Sequence, residues 1–133
     1  MKKSLKKMGT VLMAGTIMVL SFGASADAAS KSYASSEFGY GVYIGGGKGT
    51  SFTNVTDPYF KATHKAVSSG SASGVIYQIR YTGGDIYATN QQSGAISNKT
   101  VKVGSGNMGT KKAYLRNMYN ESTKQKANGT FYY

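Results

Sequence analysis

The chain has 133 residues, with 16 Lys and Arg against 5 Asp and Glu, one His, no Cys and no Trp, and its formal net charge is +11. This length allows one domain and leaves no room for two independent cores. The absence of Cys excludes disulfide scaffolds, thiolate zinc sites, iron–sulfur clusters and cysteine nucleophiles, and a single His excludes any multi-histidine metal site. We therefore expect no metal, no cofactor and no catalytic residue.

Residues 1–28 have the layout of a secretory signal peptide that is cleaved on export. Lysines at the start precede the uncharged segment Met8–Phe22, which is shorter than the roughly 20 residues that a membrane span needs. Small residues follow at once, with A-x-A cleavage patterns that end at Ala26 and at Ala28. We favour cleavage after Ala28 over retention as an N-terminal anchor and expect a secreted protein. The mature chain would keep 12 basic and 4 acidic residues, a net charge of +8.

The remaining sequence has the pattern of a small all-β domain, in which strand-like segments are separated by turn-forming residues. Residues 29–36 are small and polar and predict a flexible lead-in, and residues 37–133 are expected to form a single domain. From there on, β-branched and aromatic segments alternate with clusters of Gly, Ser and Asn. The predicted strands, in chain order, are Phe38–Ile44, Thr50–Val55, Tyr59–Val67, Gly74–Thr82, Asp85–Thr89, Lys99–Val103 and Lys126–Tyr133.

Local patterns add turns and a fold class to these segments. A glycine pair at positions 83 and 84 predicts a tight hairpin turn, and Asn128-Gly129 suggests a bulge in the last strand. Residues 111–119 fit either a helix or a strand, and we favour a strand because the neighbouring segments are strands. Turn signals spaced about 8–12 residues apart predict a sandwich or barrel. We expect a small antiparallel β-sandwich of six to eight strands, because a lone sheet would leave one face wet.

Groups that could carry out acid–base chemistry are few. His64 is the only candidate general base near neutral pH, but it shares a predicted strand face with Phe60 and Ala62, and no G-x-S-x-G motif accompanies it. A structural His bonded to a backbone carbonyl is the favoured interpretation. The carboxylates of the mature chain each lie beside a predicted turn or strand end, where such groups are commonly solvated or shape the turn. The sequence therefore predicts a protein that is not an enzyme.

Basic residues interleaved with tyrosines carry more information than any of these groups. Such a surface suits polyanions, such as teichoic acids, lipid precursors or anionic membrane surfaces. The alternative is that the lysines serve solubility and protect edge strands from pairing. Export makes nucleic acid an unexpected partner. The candidate binding residues are Lys61, Lys65, Lys111, Lys112, Tyr132 and Tyr133.

Two families share sequence features with this chain. Gly39-Tyr40-Gly41-Val42, then His64-Lys65-Ala66-Val67, then the terminal Phe131-Tyr132-Tyr133 resemble, in that order, features of lactococcin-type β-sandwich bacteriocins, although those typically contain Trp. Residues 53–61, the turn Ser71–Gly74, residues 101–106 and Gly129 resemble, over residues 50–131, an uncharacterised family of small secreted Bacillus-type proteins. Both resemblances imply export and a small β-sandwich, and only the first implies an activity.

These observations lead to two hypotheses about function. In the first, the protein is a bacteriocin-like, non-enzymatic effector that acts on the cell envelope of competing Gram-positive bacteria. In the second, it binds the wall or matrix of the producing cell and has no antibacterial activity. Both predict an extracellular protein that can associate with the wall through an anionic polymer. Neither specifies an oligomeric state.

Overall fold

The computed structural model describes residues 29–133, and these form an all-β domain. The predicted signal peptide lies outside the described residues. The strands are β1 (Ser30–Phe38), β2 (Gly41–Tyr43), β3 (Phe52–Thr56), β4 (Tyr59–Ala66), β5 (Gly74–Arg80), β6 (Ile86–Ser93), β7 (Ile96–Lys102), β8 (Asn107–Asn117) and β9 (Gln125–Tyr132). The predicted fold class is confirmed, with nine strands in the described part where six to eight were expected. Within residues 29–133, no helix is long and apolar enough to cross a membrane.

The strands form two antiparallel sheets that pack face to face. The front sheet has the order β1-β9-β4-β7, and the back sheet has the order β2-β8-β5-β6. Strand β8 is long enough to pair with two short strands on one side, β3 near Lys111 and β2 near Leu115. On its other side, β8 pairs with β5 from Asn117 to Lys112. This arrangement gives the molecule two broad outer faces that point away from each other.

Side chains from the inner faces of both sheets fill the core. On β4, Phe60, Ala62 and His64 point inward and are buried, as the alternation in the sequence predicts. The ring of Phe60 lies 4.9 Å from that of Tyr77 in the back sheet and 4.8 Å from that of Phe131 in the front sheet. A large apolar side chain such as Phe60 or Phe131 contributes about 1.5–3 kcal/mol to folding when it is buried away from water. Packing across the two sheets therefore stabilises a domain that has no disulfide.

The flexible lead-in predicted for residues 29–36 is wrong, because most of it belongs to β1. This strand pairs in register with β9 from Ser30 opposite Tyr132 to Ser35 opposite Ala127. Its inward ring, Tyr33, packs edge-on against Phe60 at 6.1 Å. Small polar residues make this strand hard to recognise in the sequence, because it is stabilised by backbone pairing and by only two aromatic side chains, Tyr33 and the buried Phe38.

The structure also tests the predictions for residues 111–119, for the turn at the glycine pair and for a bulge in the last strand. Residues 111–119 fall mostly in β8, which confirms the strand, with Ala113 and Leu115 buried and Arg116 exposed. The hairpin turn at the glycine pair is confirmed by the bond from the Gly84 N–H to the Tyr81 carbonyl, 2.9 Å long. No register shift occurs in β9 at Asn128-Gly129, so the predicted bulge is absent there, and the irregularity lies in β1 instead.

Candidate functional site

The structure divides the six candidate binding residues among three environments. Lys61 and Lys65 on β4 and Tyr132 on β9 point outward from the front sheet. Lys112 points outward from the back sheet, on the opposite side of the sandwich. Lys111 and Tyr133 pack against the protein, so the six residues do not form one surface.

The outer surface of the front sheet, called the front face below, gathers more cations than the sequence predicted. The register places Tyr59 of β4 between Lys102 of β7 and Tyr132 of β9, and Lys65 directly opposite Lys126 of β9. Tyr59 and Tyr132 stack at a centroid distance of 4.7 Å, with their planes 10° apart. The exposed lysines of the front face are Lys61, Lys65, Lys102 and Lys126. Two of these, and one ring of the stacked pair, come from residues that sequence reasoning did not select.

Protection of edge strands does not explain the front face. In the order β1-β9-β4-β7, the strands β9 and β4 are internal, and they carry Lys61, Lys65 and Lys126. Lysines on internal strands do not protect a sheet edge, because both sides of an internal strand are already paired. Like charges directly opposite each other on neighbouring strands are also destabilising, and Lys65 faces Lys126 in that way. The front face therefore carries a charge arrangement that disfavours folding, and an anion bound between the two lysines would relieve it.

A surface cavity of about 400 Å³ lies beside this lysine pair. It is located where β1, β9 and β4 run side by side. Its lining residues are Ala34, Ser35, Thr63, His64, Lys65, Lys126, Ala127 and Asn128. None of them is acidic, so a negatively charged group can enter between the two lysines without meeting a carboxylate.

The four carboxylates of the described residues, Glu37, Asp57, Asp85 and Glu121, all lie outside the paired positions of the front sheet. Glu37, near the end of β1, forms an ion pair with Lys124 at 3.1 Å. Asp57, in the turn before β4, accepts a hydrogen bond of 2.6 Å from the Gly106 N–H. The outward positions that pair in register on the front sheet carry Lys, Tyr, Thr, Ser, Asn and Ala. The front face is therefore cationic as a whole.

Two of the predicted residues are structural. Lys111 is buried, and its ammonium group donates to the Met108 carbonyl and lies 5.0 and 4.7 Å from the ring centroids of Tyr81 and Tyr87. Tyr133 packs its ring 4.5 Å from that of Phe52 and contacts the core. The sequence places Lys111 at the start of one predicted strand and Tyr133 at the end of another. It does not show which side chains pack against them. We remove them from the candidate binding residues.

The outer surface of the back sheet, called the back face below, holds a second group of cations. Arg80 lies 3.8 Å from the ring centroid of Tyr114, which itself packs against Tyr43 at 4.6 Å. Lys112 lies 5.6 Å from the Tyr43 ring and donates to the Lys48 carbonyl at 2.7 Å. Cations over aromatic faces gain about 0.5–2 kcal/mol. The back face is thus a fixed group of charges and rings, where the front face has freely exposed lysines.

His64 is a buried structural residue, which confirms the interpretation of the sequence. Its side chain is 1% exposed, and its Nε2–H donates to the Gly94 carbonyl at 2.8 Å. Its Nδ1 accepts from the Tyr77 hydroxyl at 2.7 Å. A carbonyl can only accept, so the ring carries a proton on Nε2, and in its neutral form Nδ1 is then the acceptor for the Tyr77 hydroxyl. Both ring nitrogens are thus engaged within the protein.

The surroundings of His64 make the stability of the domain sensitive to acid. Burial lowers the pKa of His64 below its ordinary value of 6.5, while the Gly94 carbonyl opposes this shift and Lys99 adds to it. We expect the free energy of unfolding to fall as the pH drops below about 6.5, because the unfolded chain then binds a proton that the folded chain excludes. The decline ends at the lowered pKa of the folded state.

Urea unfolding at a series of pH values between about 7.5 and 5 measures this effect. In the variant His64→Gln the titrating ring is gone, so the decline below neutral pH should become flatter than in the wild type. Equal slopes in the two proteins would contradict the assignment of this acid sensitivity to His64.

The remaining observations bear on other classes of function. No group of three or more His, Cys, Asp and Glu side chains able to hold a metal ion occurs within residues 29–133. No protein-family model matches this chain, and comparisons with curated proteins and with solved structures find no match. The case for a function therefore rests on the charges and geometry of the two faces.

Proposed function

We propose that this chain is a secreted, non-enzymatic protein that binds an anionic polymer of the Gram-positive cell envelope through the front face. The single observation that supports this most is the group of four exposed lysines on a sheet surface whose paired outward positions carry no carboxylate. We further propose that binding serves a bacteriocin-like attack on competing cells. Retention on the wall of the producing cell is the second candidate, and it uses the same surface.

The charges of the front face allow the binding free energy to be estimated. A lysine near an anionic surface contributes about 1 kcal/mol, so four lysines contribute about 4 kcal/mol, which corresponds to roughly a 1,000-fold gain in affinity. This attraction is screened over about 8 Å at physiological ionic strength. The stacked pair of Tyr59 and Tyr132 adds an aromatic surface that can lie against the sugar or polyol units between phosphates. Electrostatic attraction concentrates the protein, and the rings provide short-range contact.

We expect the mature protein to bind isolated Gram-positive walls at low ionic strength and to elute with salt. Removal of teichoic acid from the walls should release it as well, because phosphodiester groups supply the charge. The amount of protein left in the supernatant after pelleting the walls measures both effects. Binding that persists unchanged near molar salt would mean that the lysines are incidental to recognition.

A growth assay separates the two candidate uses of this binding. Purified mature protein is added to a panel of Gram-positive strains, and growth is followed at protein concentrations that saturate wall binding. A bacteriocin-like effector should slow at least one related strain. Complete inactivity across the panel, with wall binding intact, would overturn the antibacterial proposal and leave retention on the producer's own wall.

A further inference from the structure

We propose that the back face binds a second segment of the same class of phosphate-rich polymer, so that one molecule bridges two polymer chains. This inference rests on the proposed function of the front face. It commits the back face to one occupant, a sugar-phosphate or polyol-phosphate chain, on the basis of charge complementarity. The consequence is a protein that crosslinks the material to which it binds.

The back face is preorganised for anions by its hydrogen bonds. The guanidinium of Arg80 donates to Oε1 of Gln78 at 2.9 and 2.7 Å and to the Gly84 carbonyl at 3.3 Å. Gln78 is itself only 2% exposed, so it holds Arg80 firmly against Tyr114. A guanidinium has five N–H donors, and these three bonds leave donors for a ligand. Because its side chain is already ordered, Arg80 loses less entropy on binding than a free lysine.

The charges at the paired outward positions around Arg80 are of one sign, and Asp85 lies outside them, in the turn after Gly84. On β8, Lys112, Tyr114 and Arg116 alternate outward, and the register places Lys112 opposite Arg80. Like charges directly opposite each other again disfavour folding. The outward positions of β2, β5, β6 and β8 that pair in register carry no Asp or Glu. The second sheet thus repeats the arrangement of the first, with two cations opposed and no acid among the paired outward positions.

The sandwich keeps the two cationic faces apart. Packed sheets lie about 10 Å from each other, and side chains of both inner faces fill the gap. The aromatic core between Phe60 and Tyr77 fills that layer here, so the front and back faces point in opposite directions. A polymer segment lying on one face leaves the other open. A second segment can bind there, and multivalent binding between wall fragments then follows without dimerisation of the protein.

Clumping of isolated wall fragments tests this inference. Fragments that carry teichoic acid are mixed with the mature protein at low salt, and light scattering follows their size while pelleting measures bound protein. The wild type should clump fragments at intermediate protein concentrations. Excess protein should disperse them again, because each molecule then holds a single fragment.

Matched double variants assign clumping to the back face. Lys112→Gln with Arg116→Gln removes two back-face charges and leaves Arg80 in place, whereas Lys31→Gln with Lys99→Gln removes two exposed charges away from the front-face lysines and the back-face cluster. We expect the first variant to bind walls but lose clumping, and the second to retain both. Clumping by the back-face variant at the wild-type level, or binding without clumping by the wild type, would overturn the inference.

Two other results, failure of the wild type to bind walls and self-association of the protein, can be distinguished from the loss of clumping. Absence of wall binding by the wild type would overturn the proposed function itself, and the bridging inference with it. Sedimentation of the protein without walls should show a monomer. A wild-type dimer that becomes a monomer in the Lys112→Gln, Arg116→Gln variant would overturn bridging by single molecules and assign the back face to self-association.

Discussion

Exchange of the four front-face lysines for glutamine is expected to weaken binding to isolated walls by about 100- to 1,000-fold at low salt. Each of Lys61, Lys65, Lys102 and Lys126 is exposed, so its loss removes an attraction without leaving a buried group unpaired. The change also removes the unfavourable pairing of Lys65 with Lys126, so the variant should fold at least as well as the wild type. Depletion of protein from the supernatant gives the dissociation constant.

The control for this variant has the same net charge. Lys31, Lys48, Lys99 and Lys124 are also exposed but lie outside the front-face cluster, and their exchange for glutamine removes the same four charges. We expect this control to lose much less affinity than the front-face variant. Equal losses in both proteins would show that total charge drives binding, and the front face would then have no special role.

Gly129→Ala is expected to destabilise the domain by about 3 kcal/mol or more. Gly129 lies in β9 between β1 and β4, with a φ of +153°. A Cβ at this position would overlap the carbonyl oxygen of Lys61 and come within 2.9 Å of the Tyr33 hydroxyl. Backbone on an internal strand cannot move aside without breaking the pairing of β9 with β4. A drop in Tm of more than about 10 °C would accompany this loss.

Gly83→Ala is the matched control for that experiment. No atom lies within 4 Å of a Cβ built at Gly83, and its φ lies outside the left-handed region. Its exchange should change the free energy of unfolding by less than about 0.5 kcal/mol. Thermal or urea unfolding followed by circular dichroism compares the two variants. A Gly129→Ala protein as stable as Gly83→Ala would contradict the close approach of β9 to β4.

Local sequence patterns predicted the strand faces well. The alternation around Phe60 and His64 gave the buried face of β4, and the pair Gly83-Gly84 gave the hairpin between β5 and β6. Period-two alternation reports burial directly, because successive side chains leave a strand on opposite sides. The same patterns failed where a strand has few apolar side chains, as in Ser30–Ser35, in which Tyr33 is the one aromatic residue. At Gly129 the sequence marked a special position, but its cause is a close contact with β4, not a bulge.

The candidate site was only partly predictable because it depends on strand order. Lys65 and Lys126 are 61 positions apart in the sequence, and only the pairing of β4 with β9 brings them together. Lys111 and Lys112 are adjacent in sequence, yet one is buried under tyrosines and the other points outward. Tyr81 follows β5 and continues the alternation of the buried residues Tyr77 and Ile79, yet it is 47% exposed beside the turn. Neighbouring strands, which the sequence does not specify, decide each of these cases.

Lysine footprinting tests the central claim, that the front face binds the polymer, most directly. The mature protein is acetylated briefly with and without purified teichoic acid at low salt, and mass spectrometry gives the rate of modification at each lysine. We predict that the polymer slows modification of Lys61, Lys65, Lys102 and Lys126 and leaves Lys31 and Lys99 unchanged. Slowing confined to Lys31 and Lys99, or equal slowing at every exposed lysine, would contradict the proposed binding face.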